Sequence, residues 1–440
     1  MKLGKTPIHF VFAAAILLST GVALQADASL SDDDFFLETF DEGVRYSNRI
    51  EFPNRVGSLG DVNIGRGQFG IAPDGVTPDD STAIFEGTST IAGPVVSNGR
   101  TCFTCHRPDQ RLGLNKLPLH DHIPPTDVLF TGLVADTGPE PLGLVSFDEL
   151  GLLFHRPGRF NPLLPDTDPF RQVFFWRKSS PLLNVVFTFG NLNDGRMREL
   201  VETARGAFMV HTQNGDIRFD DLLPLDALRN IAAFMESTIE PPELADLLNP
   251  SAPLHDTLVN DPFYTVHAVT AEEQRGQALF QRYCFSCHNM PNVFSNRDHV
   301  DGLPLSFPPH YGHVMDIGVA QQNFHNLEFR RFDPDTGNRV DVVLPLVKQD
   351  GTRIAWTVTD DIGTAAATGR YEDLHRFKIP QLRRVKELAP YFHDNSMPTL
   401  AAVVEYFDSP AYNNSKDGRN HPIHLNAGQK ADLLAFLNIL

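Results

Sequence analysis

Hydrophobic and polar positions change period several times along the 440 residues. The first regular stretch is a continuous apolar run, Phe10 to Leu18, behind Lys2 and Lys5 and ahead of Ala26-Asp27-Ala28. A basic start, a short apolar centre and an A-x-A site before Ser29 form the pattern of an export signal over residues 1–28, too short and wrongly flanked for a stable membrane span. From Ala227 to Ile239 and from Gly428 to Leu440, apolar residues recur at helical spacing and predict two amphipathic helices. A third helix is predicted after Thr270-Ala271-Glu272-Glu273, a capping box, with Ala278, Leu279 and Phe280 on its apolar face and Tyr283 and Cys284 at its end. Strand alternation is scarce, and VDVVLPLV (340–347) is the best hairpin candidate. The segment 107–175, rich in Pro, Gly and His, reads as long loops, and the proline-rich run 239–256 reads as a linker. The pattern predicts a mainly α fold with little strand.

Length allows two domains of ordinary size. A net charge of −18 argues against nucleic-acid binding and against docking on anionic lipid. No second stretch approaches a membrane span, so an exported, periplasmic protein is expected. In such a protein four cysteines usually suggest disulfides. Here they fall in two copies of one word, CFTCH (102–106) and CFSCH (284–288). A thioredoxin-like reading lacks its βαβ context. Zinc would need both pairs close together or further ligands. C-x-x-C-H is the attachment signature of c-type haem, in which the two thiols become thioethers and the histidine supplies the proximal nitrogen. Two such words behind an export signal predict two covalently bound haem c groups. Cys102, Cys105, Cys284 and Cys287 are the anchors, and His106 and His288 the iron ligands.

The chain also repeats itself. NDGRMREL (193–200) aligns with HDNSMPTL (393–400) without a gap, SPLLNVV (180–186) resembles IPQLRRV (379–385), and IAAFM (231–235) resembles LLAFL (433–437). This predicts two cytochrome c-like haem domains related by duplication. The expected organisation is signal peptide 1–28, N-terminal extension 29–97, first haem domain 98–240, linker 241–268 and second haem domain 269–440.

With CFTCH, RKSSPLLN (177–184), DGR (194–196), CFSCH, FKIPQLRRV (377–385) and APYFHDNS (389–396), the chain resembles the bacterial dihaem cytochrome c peroxidase superfamily, and within it the MauG-like branch. The resemblance covers roughly residues 98 to 440. It implies an oxidoreductase that reacts with hydrogen peroxide at the first haem and takes electrons through the second. The donor would be a redox partner: a cytochrome, a cupredoxin or a protein substrate. Calcium between the domains is common in the family, and the nearest positions here are Ser179, Leu388 and Pro390. The tryptophan that family members carry before Asp-Gly-Arg is Asn193. The peroxidases' acid/base glutamate falls at Gln213, an amide, so His211 is the candidate proton carrier. The peroxidases' distal histidine has no counterpart near Arg171. Arg196 is a candidate partner for a haem propionate or for an acidic neighbour. His393 is expected near the second haem or in a structural hydrogen bond. Counting from Leu400, the far-side ligand of the second haem falls at Phe407, which cannot ligate. Its neighbour Tyr406 is the candidate, with Met397 and Met315 as fallbacks and Met290 a further thioether. A dihaem electron carrier without substrate and a dihaem oxygenase remain as alternatives.

Overall fold

The computed structural model describes residues 60, 62–69, 100–130, 146–155, 161–164, 174–188, 190–197, 199–211, 225–288, 314–332, 336 and 338–440. The export-signal stretch, Arg171, Gln213 and Met290 lie outside them. Among the described residues the strands are short and pair as four two-stranded antiparallel ladders, so the fold is mainly helix and loop.

The helices that spacing predicts all form, as Leu225–Glu236, Ala271–Tyr283 and Ala427–Leu437. Thr270 caps its helix as the sequence implies: its hydroxyl accepts from the Glu273 N–H, and the Glu273 carboxylate accepts from the Thr270 N–H at 2.9 Å. The hairpin candidate forms too. Val343–Val347 pairs with Arg353–Thr357, and Leu344 and Leu346 alternate into the core. They join a cluster that also holds Leu164 and Phe175 from the first half of the chain.

Each half closes on a pair of crossed helices that meet at a glycine. A Cβ at Gly276 would stand 2.0 Å from the Asp432 carbonyl oxygen, so Ala271–Tyr283 crosses Ala427–Leu437 backbone to backbone. In the first half Val62–Phe69 crosses Leu225–Glu236 at Gly65, where a Cβ would stand 1.8 Å from the Asn230 carbonyl oxygen. Phe69 from this helix packs with Leu182, Val185, Leu200, Leu228 and Ile231, and Cys102 and Phe103 lie against them. This helix, which precedes residue 98, therefore packs in the same cluster as the first C-x-x-C-H word. The sequence hid this helix because VNIGRGQF has two glycines and too few apolar residues to show a period.

The run expected as a linker is folded. Pro242–Leu248 is a 3₁₀ helix and His255–Asn260 an α-helix, and Leu244, Leu247 and Leu258 are buried against Val186 and Phe187. Burial of such side chains contributes roughly 1.5–3 kcal/mol each, so this segment is part of the first half's packing.

A backbone register of 200 residues relates the two halves. Asn184 and Arg384 both adopt positive φ (60° and 59°), as do Leu192 and Phe392 (67° and 68°). Asn191 bridges to Met197 and Tyr391 to Met397. The helices Leu200–His211 and Leu400–Phe407 begin at matching positions. The halves also exchange one pair of hydrogen bonds: the Lys178 N–H donates to the His393 carbonyl (2.7 Å), and the Lys378 N–H to the Asn193 carbonyl (2.8 Å).

Candidate functional site

The first C-x-x-C-H word occupies the one-turn helix Cys102–Cys105, so its thiols stand one turn apart on the same side. Neither is in a disulfide. Burial pushes the Cys102 thiol up to about 12, with Cys105 adding to the shift, so both sulfurs are thiols rather than thiolates in the free chain. The chain then turns back through Leu112, whose carbonyl lies 3.0 Å from His106 Nδ1. That bond fixes the tautomer: Nδ1 carries the proton and donates, and Nε2 keeps its lone pair for a metal. Burial holds the His106 imidazole neutral by lowering its pKa to about 4.

The second word follows the helix Ala271–Tyr283 directly. Burial pushes the Cys284 thiol up to about 12 and lowers His288 to about 4. His288 Nδ1 is buried with no hydrogen-bond partner. The Pro380 carbonyl is near enough to raise the imidazole's pKa but outside hydrogen-bonding geometry. Met315 Sδ lies 3.6 Å from Cys287 Sγ, at the edge of this word.

Two histidines face one another near His106. His155 ends the strand Leu152–His155 and His211 ends the helix Leu200–His211, and their rings stand 5.7 Å apart, edge to face. Burial holds both neutral. His211 is lowered to about 4, with Arg100 and Arg196 adding to the effect, and His155 falls well below its ordinary value, with His211 and Arg196 adding to it. His155 Nε2 is buried with no hydrogen-bond partner. Sequence reasoning missed His155, because it looked upstream of the SSP turn only near Arg171. The imidazole comes from the opposite strand, where His155 pairs with Phe175.

Between the halves lies a buried ionic network. Arg177, 1% exposed, donates from Nε and Nη2 to the two Asp361 oxygens, each at 2.7 Å, and from Nη1 to Asp194. Arg196 donates to the same Asp194 at 2.6 Å, so of its two candidate roles the structure displays the ion pair with its acidic neighbour. Burial alone would lower the Arg177 pKa, but Asp361 and Asp194 outweigh that and raise it. His393 stacks on Phe377 (3.8 Å between centroids, 23°) and comes within 3.9 Å of Asp361, which places it in this junction. Asn193, at the position of the family's tryptophan, donates its amide to the Lys178 carbonyl. Trp176 is buried with Leu152, and Trp356 lies in the hairpin beside Tyr371 and His375.

Tyr406 is buried, and its hydroxyl donates to the Ile317 carbonyl at 2.8 Å. Burial first, then Asp316 and Asp394, raises its pKa. Phe407 packs on Tyr412, whose hydroxyl donates to the His421 carbonyl. Met397 is buried in the second-half core.

These features fit a haem at each word: paired thiols on one turn, an adjacent histidine, apolar packing behind it, and buried imidazole nitrogens without partners at His155 and His288. Similarity to curated cytochrome-c peroxidases supports a peroxidase-like oxidoreductase. No family model matches the chain. It is 28% identical over 287 residues to the cytochrome-c peroxidase IdrP1 of Pseudomonas sp. (strain SCT), covering 60% of this chain and 68% of that protein. It is 29% identical over 176 residues to the cytochrome-c peroxidase IdrP1 of Denitromonas iodatirespirans, covering 39% of this chain and 41% of that protein. A crystal structure of a MauG-like protein associated with microbial copper homeostasis aligns over 88% of this chain and 90% of its own, with 15% identity and a TM-score of 0.43. These relatives support the chain's likeness to the dihaem cytochrome c peroxidase superfamily.

Proposed function

We propose that this protein is a periplasmic oxidoreductase that reduces hydrogen peroxide at its first haem site, with electrons entering through the second from a cytochrome, a cupredoxin or an oxidisable protein. The observation that carries the reading is the neutral His155–His211 pair beside His106. A bound haem supplies the redox-active iron at which the O–O bond is broken. The chain must supply proton transfer, since cleavage needs a proton moved from the near peroxide oxygen to the leaving one. A neutral imidazole can accept that proton. A buried one, disfavoured as a cation by Arg196, returns it readily. Gln213 would help only by hydrogen bonding. The MauG-like branch, the attachment of each haem through Cys102 and Cys105 or Cys284 and Cys287, and an origin by duplication belong to the same proposal. The 200-residue register supports the last.

A second reading rests on the same residues. An imidazole with an unpartnered Nε2 is also what a six-coordinate electron carrier uses as its outer ligand. Peroxide titration followed by visible spectra, with ferric EPR and cyanide binding, separates the two. The first haem should show a high-spin ferric signal, bind cyanide and react with peroxide. Two haems that are low-spin in every redox state and inert to both reagents would establish the carrier. The same preparation should carry two covalent haems per chain by intact mass and by haem-stained denaturing gel, and one or none would sink the proposal.

We assign the outer ligand of the second haem to Tyr406, with Met397 or Met315 as the alternative. Ligation would break the hydrogen bond from the Tyr406 hydroxyl to the Ile317 carbonyl and would require ionisation of a phenol that burial keeps protonated. Phenolate favours the ferric state, so this haem should have a low potential. Tyr406→Phe should change its spectrum and spin state. A methionine-to-iron charge-transfer band that survives Tyr406→Phe would reassign the ligand to a thioether.

A further inference from the structure

Lys178 ends the strand Phe175–Lys178 and is 7% exposed. Its ammonium donates to the Pro390 carbonyl at 2.5 Å and to the Leu388 carbonyl at 3.2 Å. Its backbone N–H donates to the His393 carbonyl. One residue of the first half is thus fastened by three bonds to a single turn of the second.

Leu388 and Pro390 are the carbonyls that the superfamily resemblance nominates for calcium. Calcium takes six to eight oxygens at about 2.3–2.6 Å. Here the two carbonyls converge on a nitrogen. A divalent ion within bonding range of both oxygens would overlap Nζ and be repelled by its charge. The residues do not fit calcium.

We propose that the Lys178 ammonium is a built-in cation that takes the place of a divalent ion in clasping the two halves, so that the protein holds its halves together without calcium. An ammonium in a buried site is stabilised only if its donors find acceptors. Two charge-assisted bonds to carbonyl dipoles meet that need, and the Asp394 carboxylate lies near enough to favour the charge. Burial lowers the lysine to about 8, Asp394 opposing, which leaves it mostly charged at neutral pH. The clasp is asymmetric. In the 200-residue register its counterpart is Lys378, whose ammonium, among the described residues, donates to the Thr188 hydroxyl at 3.2 Å and to no pair of carbonyls. Ser179, the first-half residue that the resemblance nominates, is displaced from the role by its neighbour.

The test uses the full-length, haem-loaded protein. After dialysis against EGTA, elemental analysis should find no stoichiometric calcium, and Tm should be the same in EGTA and in millimolar calcium. Lys178→Met, which fills the space without a donor, should lower Tm under both conditions. Lys178→Asn exchanges the ammonium for an amide oxygen, and calcium should raise its Tm while leaving the wild type unmoved. Stoichiometric calcium in the wild type, a loss of Tm in EGTA, or a Lys178→Met protein as stable as wild type would each overturn the proposal. A folded Lys178→Asn protein indifferent to calcium would also count against it, since the carbonyl pair would then be no cation cage. If neither variant folds, the wild-type calcium content and EGTA response still decide.

Discussion

Arg177→Met should lower the stability of the folded protein by about 3–5 kcal/mol, the range for breaking a buried ion pair from one side. The size follows from what stays behind. Arg177 serves Asp361 through two parallel bonds and Asp194 through a third, and all three side chains are 3% exposed or less. Methionine can fill the stem's volume but donates nothing. Asp194 retains Arg196, while Asp361 retains the Gly363 N–H and a histidine 3.9 Å away. The uncompensated carboxylate must then take up a proton or admit water. The double variant Arg177→Met/Asp361→Leu should recover part of the loss, because it removes the stranded charge along with its partner. Guanidinium denaturation of the haem-loaded protein, followed by tryptophan fluorescence and haem absorbance, measures both. Trp176 lies next to Arg177 in the chain and Trp356 in the second half's hairpin, so junction loss should show before global unfolding. A change under about 1 kcal/mol for Arg177→Met would mean that water already reaches the network.

The contrast between Arg177 and the haem words shows what a sequence can disclose. Attachment of haem needs five contiguous residues, so CFTCH and CFSCH are complete signals by themselves. The capping box at Thr270 and the alternation at 343–347 are also local, and both form where the pattern puts them. Arg177 meets Asp361 across 184 positions, and Lys178 meets Pro390 across 212. No periodicity reports such a meeting, because each partner is an ordinary charged residue in its own stretch. RKSSPLLN carries part of the family resemblance, and its two cations fasten the halves together. His155 was hidden differently. It sits in a segment whose prolines, glycines and histidines read as loop, and a four-residue strand there is too short to show alternation. Counting along the chain led to Gln213 and, two residues before it, to His211. It could not find the imidazole that a strand brings alongside.

That pair carries the other large expectation. His211→Ala should slow the first turnover with peroxide by about 10²–10⁴, the usual contribution of a positioned acid–base group. His155→Ala should slow it less if His155 only orients its neighbour through the edge-to-face contact at 5.7 Å. It should slow it equally if both imidazoles hand on the proton. The pH profile adds a readout that mere packing would not change. Burial lowers His211 to about 4, so the proton-accepting form predominates above that value and is lost as pH falls through it. The wild-type rate should therefore be flat from neutrality into mild acid, without the inflection near 6.5 of an unperturbed histidine. Added imidazole should restore part of the rate to His211→Ala, because the side chain's removal leaves a space of its own shape. Intact haem content and an unchanged ferric EPR signal in the variant would show that the iron site survives. Rates equal to wild type in both single variants and in the double variant would assign the two histidines to packing and leave proton transfer to water.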